Sequence, residues 1–165
     1  MTYEESVQKL AELMKDGRMG MLTTLSADDR LVSRPMTLQQ VTFDGDLWFF
    51  SARDSNKTHQ IQADPRVNVS FDSRGSWVSL AGRAELLEVA DAPTKAEELW
   101  SPLLKAWFPK GLEDPNICLI KVHADSAEYW EANGNRLVQL FTIAKAAVTD
   151  GKEAGDMGKN KTLTL

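Results

Sequence analysis

Residues 48–60, WFFSARDSNKTHQ, gather side chains able to hold an anion. An apolar run ends on Phe50 and Ser51, a short polar stretch carries Arg53 and Ser55, and a helix-forming pattern opens on Asn56 and Lys57. Amide N–H groups at a helix start attract negative charge, hydroxyls donate hydrogen bonds, and Lys and Arg add charge-assisted ones. A phosphate suits such a strand–loop–helix. A Ser55 cap with the neighbouring cations facing water produces the same pattern, and spacing alone leaves both readings open.

Aromatic content is the second chemical feature. Five tryptophans in 165 residues offer flat apolar faces to a planar ligand. Trp77 and Trp130 fall in or at the end of strand patterns, where ligand contact competes with core packing. Trp100 and Trp107 stand at the spacing of one helical face and are assigned to packing, while what the Leu99–Phe108 aromatic cluster covers, the barrel or the mouth of a ligand site, stays open. No Cys-x-x-Cys, His-Glu-x-x-His, Gly-x-Ser-x-Gly or Gly-x-x-x-x-Gly-Lys occurs. His59 and His123 read as isolated surface or packing residues, which leaves no basis for a His-rich metal centre. No catalytic acid, base or nucleophile is identified.

The elements that must carry these residues follow from periodicity. Thr2 and Glu5 have capping-box spacing, and Val7, Leu10, Ala11 and Met14 share one helical face, predicting a helix over 2–16 before Gly17. Strand patterns follow at RMGMLTTLS, at LVSRPMTLQQVTF, and at LWFFS beyond the Asp44-Gly45-Asp46 turn. Pro35 lacks an N–H and places the second of these at an edge or bulge. A helix over 55–63, stopped by Asp64-Pro65, precedes RVNVSFD and SWVSLAGRAELLEV, with Gly82 read as a bulge. A helix over 92–108 interrupted by Pro102, a strand at ICLIKVHADSAEYWE and a helix over 137–148 complete the reading. Strands joined by tight turns without βαβ alternation predict an α+β, mainly β fold: an antiparallel barrel with peripheral helices. One domain over 1–150 with a flexible tail over 151–165 is expected.

Charge and composition bound the partners. Nineteen basic and 24 acidic residues leave a net charge of −5, against a partner held through a nucleic-acid backbone. No apolar run approaches the ~20 residues of a membrane span. A single cysteine, Cys118, and an acidic amphipathic start unlike a signal peptide predict a cytoplasmic protein.

Taken together, FFSARDSNKTHQIQADPRVNVSFD resembles the flavin-phosphate segment of the pyridoxamine 5′-phosphate oxidase family, the FMN-binding split barrels. The matching positions are Phe50-Ser51, Lys57, His59-Gln60-Ile61 and Asp64-Pro65-Arg66. Ser33-Arg34-Pro35-Met36-Thr37 is similar to the strand whose arginine and backbone hold the flavin phosphate, ribityl chain and ring edge. SWVSLAGRAELL places Trp77, and EYWEANGNRL places Trp130, where the family has flavin-contacting side chains. GRMGMLTT, SRPM, KAWFPKGLEDPN and QLFTIAKAAVTDGK make the layout, over residues 1–152, more similar to the general-stress-protein branch.

The resemblance implies FMN as cofactor, a homodimer with flavin at its interface, and a site of Arg34, Pro35, Met36, Thr37, Phe50, Ser51, Asn56, Lys57, Trp77 and Trp130. It implies a flavin-dependent oxidoreductase acting on a small substrate or reduced nicotinamide; the alternative is a non-catalytic flavin carrier or stress-linked redox sensor. Haem would need an axial ligand that neither histidine is placed to supply. The oxidase's closing Arg-Leu-His and second arginine are replaced by Arg136-Leu137-Val138-Gln139, one phosphate-helix cation is Asn56, and Gln39 or a neighbour stands near the oxidase's substrate lysine. Each lost charge-assisted bond costs about 1.5–3 kcal/mol, so pyridoxamine 5′-phosphate oxidase activity itself is not expected.

Overall fold

Thr2 caps the first helix as its spacing predicts. Its hydroxyl accepts from the Glu5 amide at 3.2 Å, and its own amide donates to the Glu5 carboxylate at 2.7 Å. A computed structural model describes residues 2–14, 17–39, 43–73, 75–131 and 159–164. Helix α1 runs Tyr3–Met14 and buries Leu10, Leu13 and Met14. Strands β1 (Met19–Leu25), β2 (Leu31–Thr37) and β3 (Asp46–Ala52) follow, then helix α2 (Asn56–Ala63), β4 (Arg66–Ser73) and β5 (Ser76–Leu87). Helix α3 (Pro93–Leu99) and two 3-10 turns, Pro102–Ala106 and Gly111–Glu113, precede the long β6 (Ile117–Glu131) and β7 (Lys159–Thr164).

All strand pairs are antiparallel, in the order β2-β1-β4-β5-β6-β3, with β7 also on β6. The mainly β antiparallel barrel with peripheral helices is therefore the observed architecture. β5 pairs with β6 from Leu119 to Glu131, and the other edge of β6 is divided: β3 takes its first half and β7 its second. Pro35 sits on the edge strand β2, where a missing donor costs least. Gly82 marks the bulge the sequence implies, since the β5–β6 register shifts between Ala81 and Gly82. The extra residue, Asp125, restores inward alternation, so Val122 and Ala124 before it and Ala127 and Tyr129 after it are all buried.

Some elements differ from the reading. β2 ends at Thr37 rather than continuing to 43. The helix read over 92–108 is α3 alone: Trp100 leaves it in extended backbone, and a 3-10 turn restarts at Pro102, whose ring cannot continue a helix. No strand pattern was evident beyond 150, yet Lys159–Thr164 pairs with Ser126–Glu131 because β6 leaves that edge open. The helix read over 137–148 lies outside the described residues.

Two cores result. Leu22, Leu47, Phe49, Val69, Leu80, Ile120 and Val122 fill the barrel, against which Leu10 of α1 packs. On the other face of β3 and β6, Trp48, Phe50, Ile117 and Leu119 meet Ala96, Leu99, Leu104 and Phe108. This second core fixes the excursion between β5 and β6 beside the end of β3.

The α2 start is fixed by its own box: the Thr58 amide donates to Ser55 Oγ and the Ser55 amide to Thr58 Oγ1 at 3.2 Å. Ser55→Ala is expected to lower stability by about 1 kcal/mol in a denaturant titration, as loss of a helix cap does.

Candidate functional site

β2, β3 and α2 converge on a cavity of about 380 Å³. Six of the residues read from the sequence line it: Pro35, Met36, Thr37, Phe50, Ser51 and Lys57. Met19, Gln39, Ala52, Leu104, Trp107 and Phe108 complete the wall. The lining is mostly apolar, with Lys57 its one cation and no carboxylate or imidazole among the described residues. A second cavity, of about 440 Å³, lies by Thr23, Leu31 and Arg66. Its cation is committed: Arg66 sits 2.5 Å from the Asp64 carboxylate and holds that carboxyl down to about 2. The first cavity is therefore the anion-competent one.

Arg34 stands behind that cavity rather than in its wall. It shares the inward-facing row of β2, opposite Leu22. Its guanidinium donates to the Leu22 carbonyl at 3.2 Å, to Thr24 Oγ1 at 2.6 Å and to Gln60 Oε1 at 3.0 Å. Thr24 in turn donates to Gln60 Oε1 at 2.6 Å. All these acceptors are neutral. Burial lowers the Arg34 pKa, yet an arginine stays charged.

Lys57 is half-buried at the start of α2. Burial pushes its pKa down, and the nearby Arg34 charge pushes it further. No carboxylate pairs with either cation among the described residues. Two positive charges that repel each other and lack a counter-ion favour an anionic ligand. The sign follows by linkage: the unfolded chain holds more protons between the lowered Lys57 pKa and the ordinary lysine value. The ligand-free chain thus gains stability as pH rises through that window.

Ser51 is 3% exposed and opposes Cys118 across β3–β6. Its hydroxyl donates to the Ala52 carbonyl at 3.2 Å. Cys118 is likewise buried, which raises its thiol pKa. Asn56 is exposed and does not line the cavity.

Arg53 has a different task from the anion contact its position suggested. Its guanidinium pairs with the Glu88 carboxylate and donates to the Pro115 carbonyl at 3.2 Å and the Ile117 carbonyl at 3.4 Å. Its amide donates to the Asn116 carbonyl at 2.7 Å. One side chain thus clasps both ends of the excursion between β5 and β6.

Trp77 and Trp130 are cross-strand partners on β5 and β6, away from this cavity. Trp77 is 44% exposed, and the outward rows beside it carry exposed Met19 and Met21. Trp100 packs, as read, with its ring edge-on to Phe50 at 5.8 Å. The assignment of Trp107 to packing is corrected: it is 71% exposed and lines the cavity, because the helix that would have buried it stops at Leu99. The histidines read as bland residues are exposed, His123 beside Asp46 at 2.8 Å and His59 beside Asp54 at 3.4 Å. No described helix is long and apolar enough to cross a membrane. No metal-binding cluster of His, Cys, Asp or Glu occurs among the described residues.

The family model for pyridoxamine 5′-phosphate oxidase-like proteins matches residues 5–154. The chain is 30% identical over 163 residues to protein bli-3 of Neurospora crassa, covering 92% of this chain and 76% of that protein. A general stress FMN/FAD binding protein from Xanthomonas citri superposes with a TM-score of 0.68 at 28% identity, covering 80% of this chain and 92% of its own. The general stress protein 26 of Bacillus anthracis gives 0.65 at 27% identity, covering 78% and 94%.

Proposed function

The chain belongs to the pyridoxamine 5′-phosphate oxidase-like family, and from that premise we propose that it binds FMN in the cavity between β2, β3 and α2 as a flavin-dependent oxidoreductase. The observation that carries the reading is Lys57 in the wall of a mostly apolar cavity with Arg34 close behind it, both without a paired carboxylate among the described residues. A phosphate on a planar apolar group matches that distribution, and about 380 Å³ lies within the usual range of small-ligand sites. The flavin-binding relative in Xanthomonas citri supports the same assignment.

In this reading Lys57 and Arg34 neutralise the phosphate, and Ser51 adds a hydroxyl beside it. Backbone at Pro35, Met36 and Thr37 runs along the ring edge, with Phe50 as part of the apolar wall. A bound isoalloxazine supplies two-electron redox chemistry. The chain's own part is to bind, orient and exclude water. No carboxylate or histidine lines the cavity among the described residues, so proton transfer from a cavity side chain is not part of the proposal.

That same lining favours the second reading, a flavin carrier or redox sensor without turnover. Oxidation of reduced nicotinamide by the FMN-loaded protein separates the two: turnover supports the oxidoreductase, and its absence with several donors supports the carrier.

The outward face of β1, β2, β4 and β5 carries exposed Met19, Met21, Pro35 and Trp77 and the half-buried Ser70 and Ser79, with Asp72, opposite Trp77, its nearest charge. A second copy covering this face gives the homodimer, and Trp77 and Trp130 would then reach flavin from across that contact. FMN titrated into the purified protein is expected to saturate at one per chain, with sedimentation at twice the chain mass. Absence of saturable binding overturns the flavin reading, and sedimentation as a monomer overturns the dimer.

A further inference from the structure

We propose that Trp107 caps the planar ring of the ligand whose phosphate Lys57 holds, making the excursion between β5 and β6 a fixed aromatic wall of the site. The inference rests on the flavin reading above and adds a residue that neither the anion motif nor the matched flavin segment contains.

Trp107 is 71% exposed, a poor environment for an indole unless something covers it. It is not a frayed side chain on a loose loop. Its neighbours Leu104 and Phe108 are buried in the second core, and its amide donates to the Leu104 carbonyl at 3.0 Å. The turn is anchored from below by Trp100 on Phe50, a residue that itself lines the cavity. Arg53 ties the start of the excursion, at Glu88, and its end, at Pro115 and Ile117, to the segment joining β3 and α2. That segment leads directly into the first turn of α2, which carries Lys57, so the phosphate-directed cation and the exposed indole are held by one connected framework. A large aromatic face presented rigidly at a cavity binds with little ordering cost. Exposed Leu103, four residues earlier in the same turn region, does not line the cavity and serves as the comparison position.

The test compares wild type, Trp107→Ala, Trp107→Phe and Leu103→Ser in titrations with FMN and with riboflavin, following flavin fluorescence. Trp107→Ala is expected to weaken both ligands by about tenfold, since stacking acts on the ring and not on the phosphate. The bound flavin should also be brighter, because a stacked indole quenches it. Trp107→Phe is expected to recover most of the affinity but not the quenching, a difference that a purely structural role would not produce. Leu103→Ser should leave both unchanged. Wild-type FMN affinity and quenching in folded Trp107→Ala overturns the cap while the flavin reading stands. The same result with a loss of dimer on sedimentation assigns Trp107 to a contact between copies and equally overturns it. Failure of wild type to bind either flavin removes the flavin reading, and the cap with it.

Discussion

Lys57→Ala is expected to weaken FMN at least tenfold and to leave riboflavin, which has no phosphate, within about twofold of wild type. One charge-assisted bond to a phosphate is worth about 1.5–3 kcal/mol, and Lys57 has no competing carboxylate among the described residues to soften its loss. Arg34→Ala is expected to match that loss for FMN. It also removes the donor that Thr24 Oγ1 and Gln60 Oε1 accept from, so a lower melting temperature should accompany it. Lys57 is the cleaner probe. Its pKa is held below the ordinary lysine value by burial and by Arg34, and a bound phosphate opposes both effects. FMN affinity should therefore fall as pH rises through the lowered Lys57 pKa, and Lys57→Ala should abolish that alkaline fall. Equal weakening of FMN and riboflavin, or no weakening of either, would remove Lys57 from the phosphate.

The second large effect is on the fold. Gly82→Ala is expected to destabilise the protein by about 3 kcal/mol, the upper end of the range for forced overpacking. A Cβ at this position would overlap the His123 carbonyl oxygen and press on the backbone of Ala124. Neither is the free end of a side chain that could swing away. β5 and β6 would have to separate at the bulge that joins the two halves of the barrel wall. Ala81→Ser, one residue earlier and exposed, should change stability by less than about 0.5 kcal/mol in the same denaturant series. Comparable melting of Gly82→Ala and Ala81→Ser would mean that the bulge tolerates a side chain.

Local rules made most of the framework legible. Thr2, Ser55 and Asp64 delimit helices through bonds their own neighbours complete, and Gly82 and Pro35 announce a bulge and an edge because each breaks a ladder rule. The anion motif is equally local, and Ser51 and Lys57, read together with their elements, both line the cavity. Contacts distant in sequence were not legible. Thr24 and Gln60 have no visible reason to neutral-bond Arg34 until β1, β2 and α2 meet. Arg53 looked like a third anion contact because its partners Glu88, Pro115 and Ile117 lie beyond any local window. Trp107 was misread for a related reason: a seven-residue spacing implies a shared face only if the helix continues, and it ends at Leu99. Pro102 carried the warning.

The placement of Cys118 has a practical consequence. The chain's single sulfhydryl is 4% exposed and paired across the strands with Ser51, and burial keeps it protonated. A protonated, sealed thiol is a slow nucleophile. Alkylating reagents should reach it only when β3 parts from β6, so the labelling rate of the unmodified protein counts those openings directly. With one thiol per chain, an intact-mass measurement reads that rate without mutation or dye.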